Sequence, residues 1–219
     1  MAVFTKINTK DVSYIENQFN LGKIKTFKGI KKGIENTNYL IQIKNKKYIL
    51  TIFEKRVQKK DLPFFMSLMD KLNIHKINCP KPQKSKKGNY LVNIKNKPAS
   101  IVSFVGGKEK NKLKIKDCYE IGKNIAKLHM VSKKIKLYRK NSMSLGSWPK
   151  LLNKIGNKSN KIDVNLNNLM KTSLRDIKKS WPGKLSSGII HGDLFIDNIF
   201  FKNNKFYGYI DFYFSSMIF

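Results

Sequence analysis

The stretch HGDLFIDN (191–198) leads into NIFFKNNKFYGYIDFYF (198–214), with Asn203 and Asn204 at its centre. Apolar residues on both sides of that Asn pair predict two short antiparallel strands. Asn tolerates the left-handed backbone that a two-residue hairpin turn requires. Such a hairpin returns the chain on itself, so Asn198 at its entry and Asp211 at its exit fall at the same end. Asp193 lies in the loop leading in. Asp and Asn in a turn are ordinary by themselves. HxDxxxxN followed, after one hairpin, by a strand-ending Asp is far more specific.

These residue types suit phosphoryl transfer to a hydroxyl. That reaction needs a carboxylate near the acceptor proton and oxygen ligands for a Mg²⁺ bridging the nucleotide phosphates, and it gains most of its rate from positioning and charge stabilisation. Asp193 is the candidate base, and Asn198 and Asp211 are the candidate metal ligands. His191 reads as a brace for the loop and Asp197 as a loop-orienting residue. His75 and His129 read as packed or surface histidines.

Upstream, KIKTFKGI (23–30), NYLIQI (38–43) and KYILTIF (47–53) predict an antiparallel meander. Its first loop offers Gly33, Asn36 and Asn38, whose backbone N–H groups and amides suit phosphates. Thr9 is read as the N-cap of a helix running towards Gly22. Asp61 is read as the cap of a helix with Pro63 in its first turn. YLVNI (90–94) and ASIVSFV (99–105) add strands, and Gly106–Gly107 reads as a hinge. Beyond it, residues 115–131 predict an amphipathic helix with apolar Ile115, Cys118, Tyr119, Ile121, Ile125 and Leu128. A helix start near Ser147 and a polar helix over about 166–179 follow. The organisation expected is a β-rich lobe (1–105) and a mainly helical lobe (106–219) carrying a small β insertion.

The net charge of +31 suggests an anion-binding surface. Yet only three of the 45 basic residues are arginine (Arg56, Arg139, Arg175), and the lysines are spread along the whole chain. Isoleucine and asparagine are also abundant, as in proteins of A·T-rich genomes. Nucleic-acid recognition draws on arginine forks, so the charge reads as solvated lysine faces rather than a nucleic-acid surface, with a non-catalytic basic binding protein as the competing class. Cys79 and Cys118 stand far apart, outside any CxxC pair, and read as free thiols in a reducing, cytoplasmic setting. No apolar run of about 18 residues occurs and no membrane span is expected. Oligomeric state is not legible.

MAVFTKI, FKGIKKGIENTNYLI, YILTIFEKRV, DLPFFMSLMDKLN, CPKPQ, SIVSFVGG, GIIHGDLFIDNIFF and GYIDFYF occur in that order from residue 1 to 214. Together they resemble the homoserine kinases of the aminoglycoside phosphotransferase and choline kinase-like superfamily. The resemblance implies an α+β, two-lobed protein-kinase-like fold, with an antiparallel sheet in the first lobe and a mainly helical second lobe. It implies ATP and Mg²⁺ as cofactors, and L-homoserine phosphorylated on its side-chain hydroxyl on the way to threonine. Asp193 would be the base, and Asn198 and Asp211 would hold the metal. Thr51 stands near the place where the wider fold carries a phosphate-binding cation, so Thr51 joins the candidate nucleotide residues and the cation falls to Lys55 or Arg56. The acceptor pocket is not derivable from the residues, and choline or aminoglycoside acceptors remain alternatives. The resemblance also implies helices beyond IDFYF, making the second lobe incomplete and leaving Phe212, Phe214 and Phe219 near an open edge.

Overall fold

The computed structural model describes residues 3–33 and 35–218. The first helix is α1 (Thr9–Gln18), and its cap is Asn8, one residue before the expected Thr9. The Asn8 side chain accepts from the Asp11 N–H at 3.0 Å, and the Asp11 carboxylate accepts from the Asn8 N–H at 2.8 Å. This reciprocal pair satisfies two otherwise unpaired donors. The helix stops well short of Gly22 because Phe19 turns to extended backbone, while its N–H still reaches the Ile15 carbonyl at 3.0 Å.

Five antiparallel strands follow: β1 (Ile24–Gly29), β2 (Thr37–Ile43), β3 (Lys46–Ile52), β4 (Val92–Ile94) and β5 (Lys97–Ser103), in the order β1-β2-β3-β5-β4. In β2, Thr37, Tyr39, Ile41 and Ile43 are buried while Asn38, Leu40 and Gln42 are half-buried. That period of two sorts the strand onto two faces. Tyr39, Ile41 and Ile43, with Leu50, Ile52 and Ile101, pack on Ile15 and Phe19 of α1 in one core. The other face, through Phe53 and Val102, joins a second core with α2 (Leu62–Ile74).

That second core continues into the following lobe. It takes in Ile121 and Leu128 of α3 (Ile115–Ser132), Ile189 of β6 (Gly188–Ile190), and Ile199, Phe201 and Tyr209 of the hairpin β7 (Ile199–Lys202) and β8 (Lys205–Tyr209). Each such side chain, fully buried, contributes about 1.5–3 kcal/mol, so the two lobes are joined by a shared apolar core. The chain crosses between them at Gly107, whose φ of +92° favours glycine. A Cβ there would lie 2.5 Å from the Phe201 carbonyl oxygen. This closeness permits a reciprocal pair of bonds, Lys108 N–H to Phe201 O at 2.9 Å and Phe201 N–H to Lys108 O at 2.8 Å.

Four expectations need correcting. Asp61 occupies the cap position of α2, but its carboxylate does not cap; it accepts from Arg139 Nε at 2.7 Å. Of the apolar residues expected on the inner face of α3, Ile121, Ile125 and Leu128 reach the core, joined by Val131; Cys118 is exposed, as are Ile115 (91%) and Tyr119 (70%). Phe212 does not stand at an open edge: it is 1% exposed, with the His191 ring 4.4 Å away. Phe214 is half-buried, and Phe219 lies outside the described residues. The fourth is a strand that was not expected, β9 (Ser216–Ile218), which pairs antiparallel with β6.

The helix near Ser147 is α4 (Trp148–Ile155), and the polar helix is α5 (Leu166–Ser180). Their facing sides, including Leu151, Ile155, Leu169 and Ile177, line an open apolar groove. No helix among the described residues is long and apolar enough to cross a membrane.

Candidate active site

The hairpin forms where the Asn pair requires it. Asn203 and Asn204 both adopt positive φ, 49° and 57°, the signature of a two-residue primed turn. At the other end, the Ile210 N–H donates to the Asn198 carbonyl at 3.0 Å, bringing Asn198 beside the residue that precedes Asp211. Asn198 is 8% exposed. Its Nδ2 donates to the Asp193 carbonyl at 2.8 Å and lies 3.3 Å from the Asp193 carboxylate. With the amide nitrogen committed in this way, Oδ1 is the atom of Asn198 able to bind a cation.

His191 holds the loop from below. It is 3% exposed, with Nε2 2.8 Å from the Ile210 carbonyl and Nδ1 accepting from the Asp193 N–H at 3.3 Å. Donation at Nε2 and acceptance at Nδ1 fix one neutral tautomer. Burial lowers its pKa to about 4, against the opposing pull of the Ile210 carbonyl. The ring is therefore a neutral brace, as its context in the sequence suggested. Beside it, Gly192 has a φ of +84°, and a Cβ there would lie 2.6 Å from the Phe214 carbonyl oxygen. Ser215 Oγ completes the fastening by donating to the His191 carbonyl at 3.0 Å.

Asp211 adopts a φ of 63°, a conformation that costs a non-glycine residue about 1 kcal/mol and persists only where the surroundings impose it. Its carboxylate accepts from the Tyr213 N–H. Asp211 is open to solvent yet set among dense protein. Desolvation first, then the charges of Glu35, Asp193 and Asp197, raise its pKa to about 6. A carboxylate crowded by others is a place where a cation relieves repulsion. Among the described residues no group of three or more His, Cys, Asp or Glu forms a metal cage. Mg²⁺ usually takes one or two protein oxygens and completes its shell with phosphates and water. Asn198 and Asp211 fit such an ion.

The opposite wall comes from the sheet. Gly33 has a φ of +102°, and the space around it is open. Asn36 is buried, with its Oδ1 accepting from the Glu54 N–H at 3.2 Å. Thr51, facing Asn38 across β3 and β2, donates to Asn38 Oδ1 at 2.8 Å and also hydrogen-bonds Tyr213. Thr51 thus joins the sheet to the segment just after Asp211. Glu54 sits in a tight polar knot: burial pushes its pKa up, but bonds from Lys97, Thr5 and Thr37 outweigh this and hold it below the usual range.

Three functional neighbours escaped sequence reasoning: Glu35, Phe214 and Arg139. Glu35 forms an ion pair with Arg56, whose guanidinium lies 5.6 Å from the Phe214 ring. Arg139 binds Asp61 at the start of α2, donates to the Ser215 carbonyl at 3.1 Å, and stacks 5.0 Å over Phe65. One signal was available. In a chain that uses lysine almost everywhere, two of its three arginines converge on Phe214 and Ser215.

The family model described as "Phosphotransferase enzyme family" matches residues 26–219. The chain belongs to this family. Its relatives include the homoserine kinase of Methylocella silvestris, 37% identical over 215 residues, with 98% of this chain and 67% of that one aligned. The homoserine kinase of Rhizobium etli is 36% identical over the same shares. The chain thus spans about two thirds of the length of these phosphotransferases. Among solved structures, spectinomycin phosphotransferase with ADP and spectinomycin aligns at a TM-score of 0.71 and 14% identity, over 97% of this chain and 71% of that one. Amicoumacin kinase with AMP-PNP, Ca²⁺ and its antibiotic aligns at 0.72 and 14% identity, over 97% and 66%. These likenesses confirm the two-lobed kinase-like fold.

Proposed function

We propose that this chain is an ATP-dependent homoserine kinase. It transfers the γ-phosphate of ATP to the side-chain hydroxyl of L-homoserine, giving O-phospho-L-homoserine and ADP, in the cytoplasm and towards threonine. Homoserine kinases aligned along 98% of the chain support the choice of acceptor. The observation that carries the chemistry is the single loop-and-hairpin unit that gathers Asp193, Asn198 and Asp211.

In this reading Asp193 accepts the hydroxyl proton as the acceptor oxygen bonds to the γ-phosphorus and the bond to the β-phosphate oxygen breaks. Asn198 keeps the Asp193 loop closed through Nδ2 and offers Oδ1 to Mg²⁺, with Asp211 as the second ligand. When held there, such an ion would supply charge neutralisation for the phosphates. Gly33, Asn36, Asn38 and Thr51 form the nucleotide side, Gly33 through its backbone and the other three by fixing the strands around it. His191 holds the Asp193 N–H in place.

The test is ADP release from the purified chain with Mg²⁺ and ATP, with and without L-homoserine, beside an Asp193→Asn control. Homoserine-dependent release is expected, falling by about 10²–10⁴-fold in the control. Release that follows choline or an aminoglycoside instead would transfer the acceptor assignment. No acceptor-dependent release from a folded, nucleotide-binding chain would overturn the activity.

A further inference from the structure

In the wider kinase fold a cation on the third strand meets the nucleotide phosphates, but here β3 carries none in its interior. Its lysines, Lys46 and Lys47, are exposed at the strand start, with Lys47 6.0 Å from the Phe104 ring near the hinge. Thr51 spends its hydroxyl on Asn38. Lys97 is engaged by Glu54 and Thr5 on the far side of the strand end. Lys110 is engaged by Asp117 and the Phe201 ring. The sequence candidates Lys55 and Arg56 are both exposed, but Arg56 alone lies over the ring of Phe214 and pairs with Glu35.

The position of that ring matters. The Phe214 carbonyl lies against Gly192, the neighbour of Asp193. Phe214 is also three residues beyond Asp211. The guanidinium of Arg56 is thereby held over the segment that carries the candidate metal ligand and braces the Asp193 loop. What occupies it is a carboxylate, that of Glu35, from the loop between β1 and β2. A carboxylate on a guanidinium fork offers the same planar pair of oxygens that a phosphate would. Glu35 also stands close enough to Asp211 for their charges to repel. Arg56, Glu35 and Asp211 thus place a guanidinium-bound anion near the candidate metal ligand, the charge pattern a metal-bound polyphosphate would meet.

We propose that Arg56 is the cation that binds the nucleotide phosphates in this site, and that Glu35 is a placeholder on Arg56 that the phosphates displace. This rests on the reading of the cleft as a nucleotide site. The exchange explains why the position is an arginine in a chain so rich in lysine. A fork stacked on an aromatic ring can trade one two-oxygen partner for another without moving, whereas an ammonium has neither the fork nor the stacking face. It also removes the Glu35 charge from beside the phosphates at the moment they bind.

Calorimetric titration of ATP, ADP and AMP with Mg²⁺ tests this on the wild-type chain and on Arg56→Ala, Arg56→Lys and Glu35→Gln. Arg56→Ala should weaken ATP by about tenfold or more, as expected for one lost charge-assisted fork, and leave AMP within about twofold. Arg56→Lys should recover part of the loss, and Glu35→Gln should tighten ATP. Equal loss for ATP and AMP, no loss for either, or weaker ATP binding by Glu35→Gln would overturn the proposal. Arg56→Lys keeps the test valid if the alanine variant does not fold. A wild-type chain that shows this pattern but no homoserine-dependent ADP release would sink the kinase reading and leave Arg56 standing. One that binds no nucleotide would sink both.

Discussion

The two walls of the cleft are built in opposite ways. The lower wall, His191 to Ser215, is fastened to itself. His191 holds Ile210, Asn198 holds Asp193, and Ser215 returns to His191, all within one short stretch of chain. The upper wall meets the lower through the shared apolar core, with the Phe53 ring 5.2 Å from that of Tyr213, and through a few polar side chains. Thr51 reaches Tyr213, and Arg56, itself held by Glu35, reaches Phe214. Self-fastening presets the geometry of the proposed base and metal ligands, and preset geometry is where phosphoryl transfer gains most. The upper wall is thus held to the lower by apolar packing more than by polar fastening.

Replacing His191 breaks the fastened wall and should have the largest effect on stability. Its folded pKa of about 4 lies below the ordinary 6.5. The stability it lends is fully present above pH 6.5 and is lost as the pH falls towards 4. The swing is about 3 kcal/mol. His191→Asn should lower the melting temperature at pH 7.5 and flatten the acid limb of a Tm-against-pH curve. A variant with an unchanged acid limb would show that the brace lies elsewhere.

Asp211 works with the opposite sign. Its pKa is raised from 3.8 to about 6, so the fold disfavours the charged form, and that penalty appears as the pH rises through this window. Asp211→Asn should therefore abolish metal-dependent turnover while raising the metal-free Tm at pH 7.5 relative to pH 5. Binding of Mg²⁺ and ATP near pH 6 should release protons, measurable as a buffer-dependent calorimetric heat. Absence of that heat would mean the ion does not meet Asp211.

The upper wall should yield the smallest effect. Thr51→Val keeps the shape but removes the hydroxyl shared by Asn38 and Tyr213. It should cost about 1–2 kcal/mol in urea unfolding and lower kcat more than it alters the acceptor KM. If turnover is untouched, Thr51 supports only the sheet.

What the sequence disclosed follows the same division. The hairpin was legible because its determinants are local: turn residues at Asn203 and Asn204, apolar alternation beside them, and fixed spacing from Asp193 to Asn198. The meander was legible for the same reason, through the period of two in β2. Contacts between distant stretches left little local trace. Arg139 meets Asp61 across 78 positions, so Asp61 looked like a cap when its carboxylate was committed elsewhere. Ser216–Ile218 becomes a strand only because β6 offers an edge, and Phe212 is buried only because His191 and Tyr209 receive it. Exposed apolar side chains among the described residues gather on the outer face of α3 and in the groove between α4 and α5.

The staple at Lys108 and Phe201 has a mechanical meaning. The strip of chain between the lobes is riveted through both an amide and a carbonyl to the middle of β7. Rotation of the sheet therefore arrives at the hairpin as torque instead of being absorbed in slack. The far end of that lever is the pair Asn198 and Asp211. Any movement between sheet and hairpin would therefore be felt at the two candidate metal ligands as well.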